Sequence, residues 1–526
     1  MCERRAPTCQ GDAIMRDRFV QQHTDKITGV LSSFDRVIFK GHIRPLCWSG
    51  GMEEFLAAKG VLIKDFGRFV SVHSETVKEH ARRTADTAGR PYIPLKYHVN
   101  KEAMAERIAQ RDQIDRGLVC VLTALEGCQS FKIIGGRKRP ELIKAPRKCL
   151  CIYFYFMDRD FGLMHVRLQT WFPFTVQVYL NAHAWLARRM DRKGIRYRQL
   201  DNAFQWIEDC GAAQRLAEQF VRIDWPMRLS RLAAKVNPLM RTLLARMDYY
   251  WVTDQAEFAT DVMFRTPKDL KCLYEKLLEH STLCLSAEDV LVFLGRKLHG
   301  NFKGQVLGEF KKRWPGARAK HRMNRNWIKM YNKHGALVRI ETVINDPYQF
   351  RVRRRSIRKG QPTMAWLPMA KRVSNLYKYA EVCLTANRRY LNALSVVADP
   401  TEGEELLCRC TKRIHVAGRS YRGFNPAAKE DIRLFEAILR GEHTIHGFRN
   451  RDLRALLLPQ PIDLQVRRRQ SAAVSRILKR LHVRGLIAKV PRTRRWRATH
   501  RGTAFMAMAI MHHRRYYPQA ILEKIA

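Results

Sequence analysis

The chain has 526 residues, with 97 Lys or Arg against 49 Asp or Glu, giving a formal charge of +48. An apolar fraction of 46% belongs to a folded protein and excludes a disordered polyelectrolyte. No apolar run reaches the roughly 18 residues of a membrane-spanning helix, and no basic amphipathic helix sits beside one, so no membrane partner is expected.

So much charge of one sign repels itself in a compact fold unless a polyanion offsets it. The expected partner is therefore a nucleic acid, DNA first and RNA second. Met1 to Gln10 is polar and charged rather than a secretory leader, and the 13 cysteines form no disulfide framework. A reducing cytoplasm, in association with nucleic acid, is the expected location. Cys149/Cys151 and Cys408/Cys410, with His415 nearby, leave one residue between the members of each pair. Structural zinc favours two to four, so no metal site is read there. Nothing in the sequence sets an oligomeric state.

Three consecutive blocks follow from composition: a mixed α/β core over 1–300, a basic central module over 301–425 and a winged helix over 426–526. The fold class is α+β and multidomain. "RVIFKG" (Arg36 to Gly41) reads as a short strand ended by glycine. "LVCVLTAL" and "CLCIYFYF" are continuous apolar runs rich in β-formers and read as buried strands. "HVRLQTWFPFTVQVYL" alternates and is interrupted by Pro173, which predicts a hairpin or bent strand pair. "NAHAWLARRMDRKG" predicts a helix stopped by Gly194, and residues 200–300 read as mainly helical.

From Lys311 to Gly360 there are 16 Lys or Arg against two acids, Glu341 and Asp346. Trp314, Trp327, Tyr331, Tyr348 and Phe350 are interleaved with them. Such a patch suits phosphate contact, and its aromatics suit base stacking. Arg353, Arg354 and Arg355 are its densest run. "NLYKYAEVCLTANRRYLNALSVV" then reads as a core helix, ended by Asp399-Pro400. "TEGEELLCRCTKRIHVAGRSYRGFNP" reads as a linker or small docking segment.

The C-terminal residues carry the most specific pattern. "EDIRLFEAILRG" is an amphipathic helix, "NRDLRALLL" a second with Asn450 as N-cap, and "QVRRRQSAAVSRILKRLHVRG" a third stopped by Gly485. "LIAKVPRTRRWRAT" follows as strand, basic turn and strand. This order is that of a winged helix, and it resembles the DNA-binding half of MarR-type regulators. The resemblance implies a third helix in the major groove, presenting Arg467, Arg468, Arg469, Ser471, Ser475, Arg476, Lys479 and Arg480. It also implies a wing presenting Arg492, Arg494, Arg495 and Arg497 to a neighbouring groove or backbone. From Glu430 to Ala526 there are 21 Lys or Arg against seven acids.

Over nearly its full length the chain resembles a family of bacterial proteins of unassigned activity that carry the MarR-type label. "FDRVIFKG", "HVRLQTWFPF", "YYWVTDQAEFATDVMF", "IKMYNKHGALVRIETVIN" and "GFRNRDLR" carry this likeness. The chain is several times longer than a MarR regulator. "IKMYNKHGALVRIE" also resembles a strand pair of plasmid and phage replication initiators, which nick DNA with a tyrosine and a metal held by a His-hydrophobe-His motif. Here "HVR" at His165 has Arg in place of the second His, so Tyr331 is expected to be structural.

A metal-dependent nuclease or transposase would need carboxylates converging on magnesium, and strand ends supply Asp35, Asp158, Asp160, Asp261 and Glu341. The chain names no other cofactor, and magnesium enters only with that reading. The leading expectation is a nucleic-acid-binding protein of mobile-element or regulatory DNA. The alternatives are the nuclease or transposase, targeted by the winged helix, and an RNA-scaffolded structural or interaction protein.

Overall fold

A computed structural model describes residues 17–525 except 97–98, 136–139, 297–304, 314–315, 359–360, 399, 427, 441–442, 444–446 and 492. The chain is mixed α and β, with a large mixed sheet. It divides into two units, one made of Met1–Val30, Thr260–Thr342 and Val382–Ala526, the other of Leu31–Ala259 and Val343–Glu381. They are assembled from interleaved stretches, whereas composition suggests three consecutive blocks. Among the described residues, no helix is long and apolar enough to cross a membrane.

The strands of the second unit are built from the apolar runs. They are β1 (Ile27–His42), β2 (Tyr92–Pro94), β3 (Gly117–Gly135), β4 (Pro140–Asp158), β5 (Gly162–Gln169), β6 (Val176–Asn181), β7 (Tyr197–Leu200), β8 (Ala203–Ile207) and β9 (Tyr250–Phe264), with residues 27–30 of β1 and 260–264 of β9 counted in the first unit. Within this unit the main sheet runs β9-β1-β6-β5-β4-β3-β2. From β1 to β3 across β6, β5 and β4 every pairing is antiparallel, and β2 is parallel to β3. The helix Lys101–Arg111 lays Ala105, Ile108 and Ala109 on Cys120, Leu122, Cys151 and Tyr155. Trp225, opening the helix Trp225–Val236, packs on Phe39 and Phe161.

One expectation changes here and another is refined. "RVIFKG" is only the end of a 16-residue strand, whose preceding "ITGVLSSFD" is buried along nearly all its length. Residues 200–300 are mainly helical, as read, but β8 and the 15-residue β9 also lie among them. β9 is buried on both faces over its second half, so it lacks the alternation that marks a half-buried strand. The hairpin read around Pro173 is β5 and β6, and Gly194 follows the helix Ala182–Asp191 with φ +67°.

In the first unit, β10 (Val306–Arg313), β11 (Gly316–Met323), β12 (Asn326–Lys333) and β13 (Leu337–Ile344) lie in consecutive order. β14 (Arg351–Arg358) and β15 (Gln361–Pro368) pair as a separate hairpin in the second unit. The core helix read after residue 374 is Leu376–Leu394. The segment read as a linker or small docking segment is the helix Pro400–Thr411 and a hairpin of β16 (Ile414–Val416) and β17 (Arg419–Tyr421), which excludes a plain linker. Arg484, 6% exposed, ties them down by donating to the carbonyls of Arg409, Lys412 and Tyr421 at 3.0, 2.7 and 3.2 Å.

The C-terminal residues form three helices, Lys429–Ile438, Asn450–Leu457 and Leu464–Val483, then β18 (Ile487–Lys489) antiparallel to β19 (Trp496–Ala498), then the helix His500–Ile525. Phe448 adds a bridge to Trp496, so a third extended segment lies beside the hairpin. Ile432, Phe435, Leu453, Val474, Leu478, Leu481, Ile487 and Phe505 close one core. Gly502 allows the last helix to touch the backbone: a Cβ there would stand 1.8 Å from the Leu486 carbonyl oxygen.

Candidate nucleic-acid interface and carboxylate sites

The third C-terminal helix starts at Asp463, whose carboxylate accepts from the Val466 amide at 2.7 Å. It stops before Gly485, at φ +70°. Val474, Leu478 and Leu481 face the core. That orientation leaves Arg467, Arg468, Arg469, Arg476 and Lys479 exposed, and among the described residues none is paired with an acid.

Other residues read as nucleic-acid contacts are engaged inside the module. Arg480 donates to Asp431 at 2.7 Å, and its guanidinium lies 3.8 Å from the centre of the Phe424 ring. Burial lowers its pKa, and Asp431 opposes that shift. It is a packing residue because the helix turns its position inward. The Asn450 amide donates to the Ser471 carbonyl and the Ser475 hydroxyl, both at 2.9 Å, and Ser471 Oγ donates to Asn450 Oδ1 at 3.3 Å. These bonds lock the second helix to the third. Asn450 is therefore not the N-cap; Arg449 precedes the helix, and its amide donates to Asp452 at 2.8 Å.

On the hairpin, Arg494 is exposed, while Arg495 donates to the Gly447 carbonyl at 3.2 Å and Arg497 pairs with Glu288 at 2.7 Å. Arg492 lies outside the described residues, as does Trp314.

The basic stretch 311–360 resolves into two kinds of surface. Lys329 and Tyr331 of β12 both donate to Glu341 of β13 at 2.5 Å, and Lys320 and Lys329 stand over the Trp327 ring. Arg339 holds Asp261 with two bonds, 2.6 and 2.7 Å, and both side chains are 1% exposed. Phe350 is buried and Tyr348 exposed. Arg353, Arg354 and Arg355 of β14 all face solvent.

The carboxylates read as catalytic are thus distributed over different tasks. Asp158 accepts from the amides of Asp160 and Phe161 at 2.7 and 3.1 Å and closes a turn. Asp160 pairs with Arg192 and Arg228 at 2.9 and 3.0 Å. Burial works to raise its pKa, but the two guanidinium groups prevail and hold it low. Asp261 and Glu341 are occupied by the partners already given.

Asp35 has a different setting. It is 3% exposed, and its carboxylate accepts from His183 Nδ1 at 3.2 Å and from the Asn202 amide. His183 Nε2 accepts from Ser33 Oγ at 3.4 Å. Serine, histidine and aspartate are linked in the order of a hydrolase triad, but Ser33 is only 6% exposed, so the chain of bonds orients Asp35 rather than presenting a nucleophile. Oxygens of Asp35 and Glu257 lie within 4.8 Å of each other, a separation that one divalent ion can bridge. Burial disfavours the charge on neighbouring Arg36, yet Tyr179, Asp35, Glu102 and Glu257 keep its pKa raised.

Glu257, His183 and Asn202 were not legible as site residues. They come from segments far apart in the chain, and none sits in a recognisable motif. His165, read against the initiator motif, is a neutral core histidine: burial lowers its pKa to about 3 among Tyr153, Tyr155 and Tyr179. Cys408 is exposed and Cys410 buried, because residues two apart on a helix face different directions. No family model matches the chain, and neither does any curated protein or solved structure.

Proposed function

We propose that the chain is a nucleic-acid-binding protein whose C-terminal residues act as a winged helix on duplex DNA. One observation carries this reading. The third helix turns its apolar stripe into a core shared with two preceding helices and a hairpin, and sends Arg467, Arg468, Arg469, Arg476 and Lys479 to solvent without acids. Cations in such a row neutralise phosphates, and those facing a groove read guanine edges. Arg494 supplies a backbone contact from the hairpin. Arg480, Ser471 and Ser475 build the module rather than touch DNA.

The test is a comparison of duplex preferences in the full chain. Replacing Arg476 and Lys479 by Ala should shift preference among sequences, by about 1–3 kcal/mol for each bidentate base pairing removed. Replacing Arg494 should weaken all sequences alike, since backbone contacts carry no sequence information. Uniform weakening in both variants would remove the base-reading role of the helix.

A second reading is favoured by the Asp35–Glu257 pair. The two carboxylates would hold a magnesium ion that polarises a phosphodiester and lowers the pKa of an attacking water. His183 and Asn202 would fix the orientation of Asp35, as outer partners of metal ligands do. Asp35→Asn and Glu257→Gln should abolish magnesium-dependent cleavage while leaving duplex binding intact. Lack of cleavage by the unaltered chain with magnesium or manganese would remove this reading and leave the first untouched.

A further inference from the structure

The hairpin of β14 and β15 has one face that nothing in its own unit accounts for. Directly paired residues of an antiparallel ladder point to the same side. Arg353 pairs with Trp366, Arg355 with Met364 and Ile357 with Pro362, so these six share a face. All six are exposed, and the apolar ones by a wide margin: Ile357 is 78% exposed, Trp366 63% and Met364 53%. The opposite face starts from Val352, which is buried at the root. From Arg351 to Pro368 there is no Asp or Glu.

An exposed tryptophan, methionine and isoleucine in one row mark an interaction surface. The arginines between them and the absence of any acid set the chemistry of the partner. It must be anionic at intervals and must offer flat apolar faces between its charges. Single-stranded nucleic acid has both properties, because its phosphates alternate with unstacked bases. In a duplex the base faces are already covered, so the Trp366 ring would have nothing to stack on without unstacking a step.

We propose that this face binds single-stranded DNA or RNA. Trp366 stacks on one base, Met364 and Ile357 support its neighbours, and Arg353 and Arg355 neutralise the flanking phosphates. The proposal rests on the nucleic-acid reading above but assigns a second surface, with a preference for strand over duplex that the C-terminal module does not require.

The experiment measures binding of the full chain to a labelled oligo-dT strand and to a labelled blunt duplex, over a salt series, by fluorescence anisotropy. Trp366→Ala should weaken oligo-dT binding about 5- to 150-fold, the range for removal of one base stack, without changing the salt slope. Trp366→Phe should keep most of the affinity, which separates a missing ring from a misfolded hairpin. The pair Arg353→Ala and Arg355→Ala should reduce the slope by about 0.7 for each phosphate no longer neutralised. Duplex binding should be unaffected by Trp366→Ala. Unchanged oligo-dT affinity in Trp366→Ala would overturn the proposal while leaving duplex binding by the C-terminal helix standing. Equal weakening for strand and duplex would also overturn it, in favour of a ribbon entering a groove. If the unaltered chain binds neither probe, the underlying nucleic-acid reading fails.

Discussion

Two hairpins next to each other in sequence treat their positive charge in opposite ways. In β12 and β13, Lys329 is neutralised by Glu341 and Arg339 by Asp261, and every residue of β13 is buried. In β14 and β15, five arginines stand among eighteen residues without one acid, and the second strand is mostly exposed. A count of Lys and Arg from 311 to 360 adds the two together. The first hairpin uses its cations for its own stability; the second leaves Arg353, Arg354 and Arg355 facing solvent. Basic composition becomes an argument about partners only after internal ion pairs have been subtracted.

The comparison can be broken at its strongest point first. Arg339→Ala strands the buried Asp261 carboxylate and should cost about 3–5 kcal/mol, read from urea denaturation. If the loss is no larger than for a surface arginine, the two hairpins do not differ as described.

A pH series sharpens it next. Burial lowers the pKa of His321, on β11, from 6.5 to about 4, where it contacts Ser281 and Tyr390. The unfolded chain therefore takes up a proton at higher pH than the folded one. This group's contribution is complete above pH 6.5 and is lost as pH falls toward 4. The full shift corresponds to about 3 kcal/mol. His321→Gln should flatten the stability profile in that window, and an unchanged profile would mean that His321 does not enter the fold uncharged.

Lys329→Met leaves Glu341 with Tyr331 but without its cation, and should cost about 1–3 kcal/mol. The smallest effect on stability belongs to the second hairpin. Replacing Arg353, Arg354 and Arg355 together by Ala should change stability by no more than about 0.5 kcal/mol per residue. The same variant should lower the salt slope of oligo-dT binding by about 0.7 for each phosphate no longer neutralised. A large loss of stability with an unchanged slope would reverse the assignment of the two hairpins.

What the sequence made legible was periodic or continuous. The stripe Val474, Leu478, Leu481 marked the third helix, and "CLCIYFYF" marked a buried strand. β9 was misread because its buried half shows no alternation. The segment after Pro400 could be read only as a linker or small docking segment because what holds it is Arg484, more than sixty residues later. Which cations are consumed was illegible for the same reason. Strand register sets Lys329 against Glu341, and helix rotation sets Arg480 against Asp431 while leaving Arg476 outside. The Asp35 environment draws on residues 33, 183, 202 and 257, so only Asp35 itself was visible, as a strand-borne carboxylate.

Cations left without acids on the third C-terminal helix are held to grip duplex DNA, and salt dependence tests that most directly. Duplex binding by the full chain would be compared with that of a variant in which Arg467, Arg468, Arg469, Arg476 and Lys479 are replaced by Ala. Circular dichroism would check that both are folded. The unaltered chain should show steep salt dependence, with the variant weaker and its slope shallower by about 0.9 for every phosphate no longer neutralised. A folded variant with the same affinity and the same slope would contradict the account.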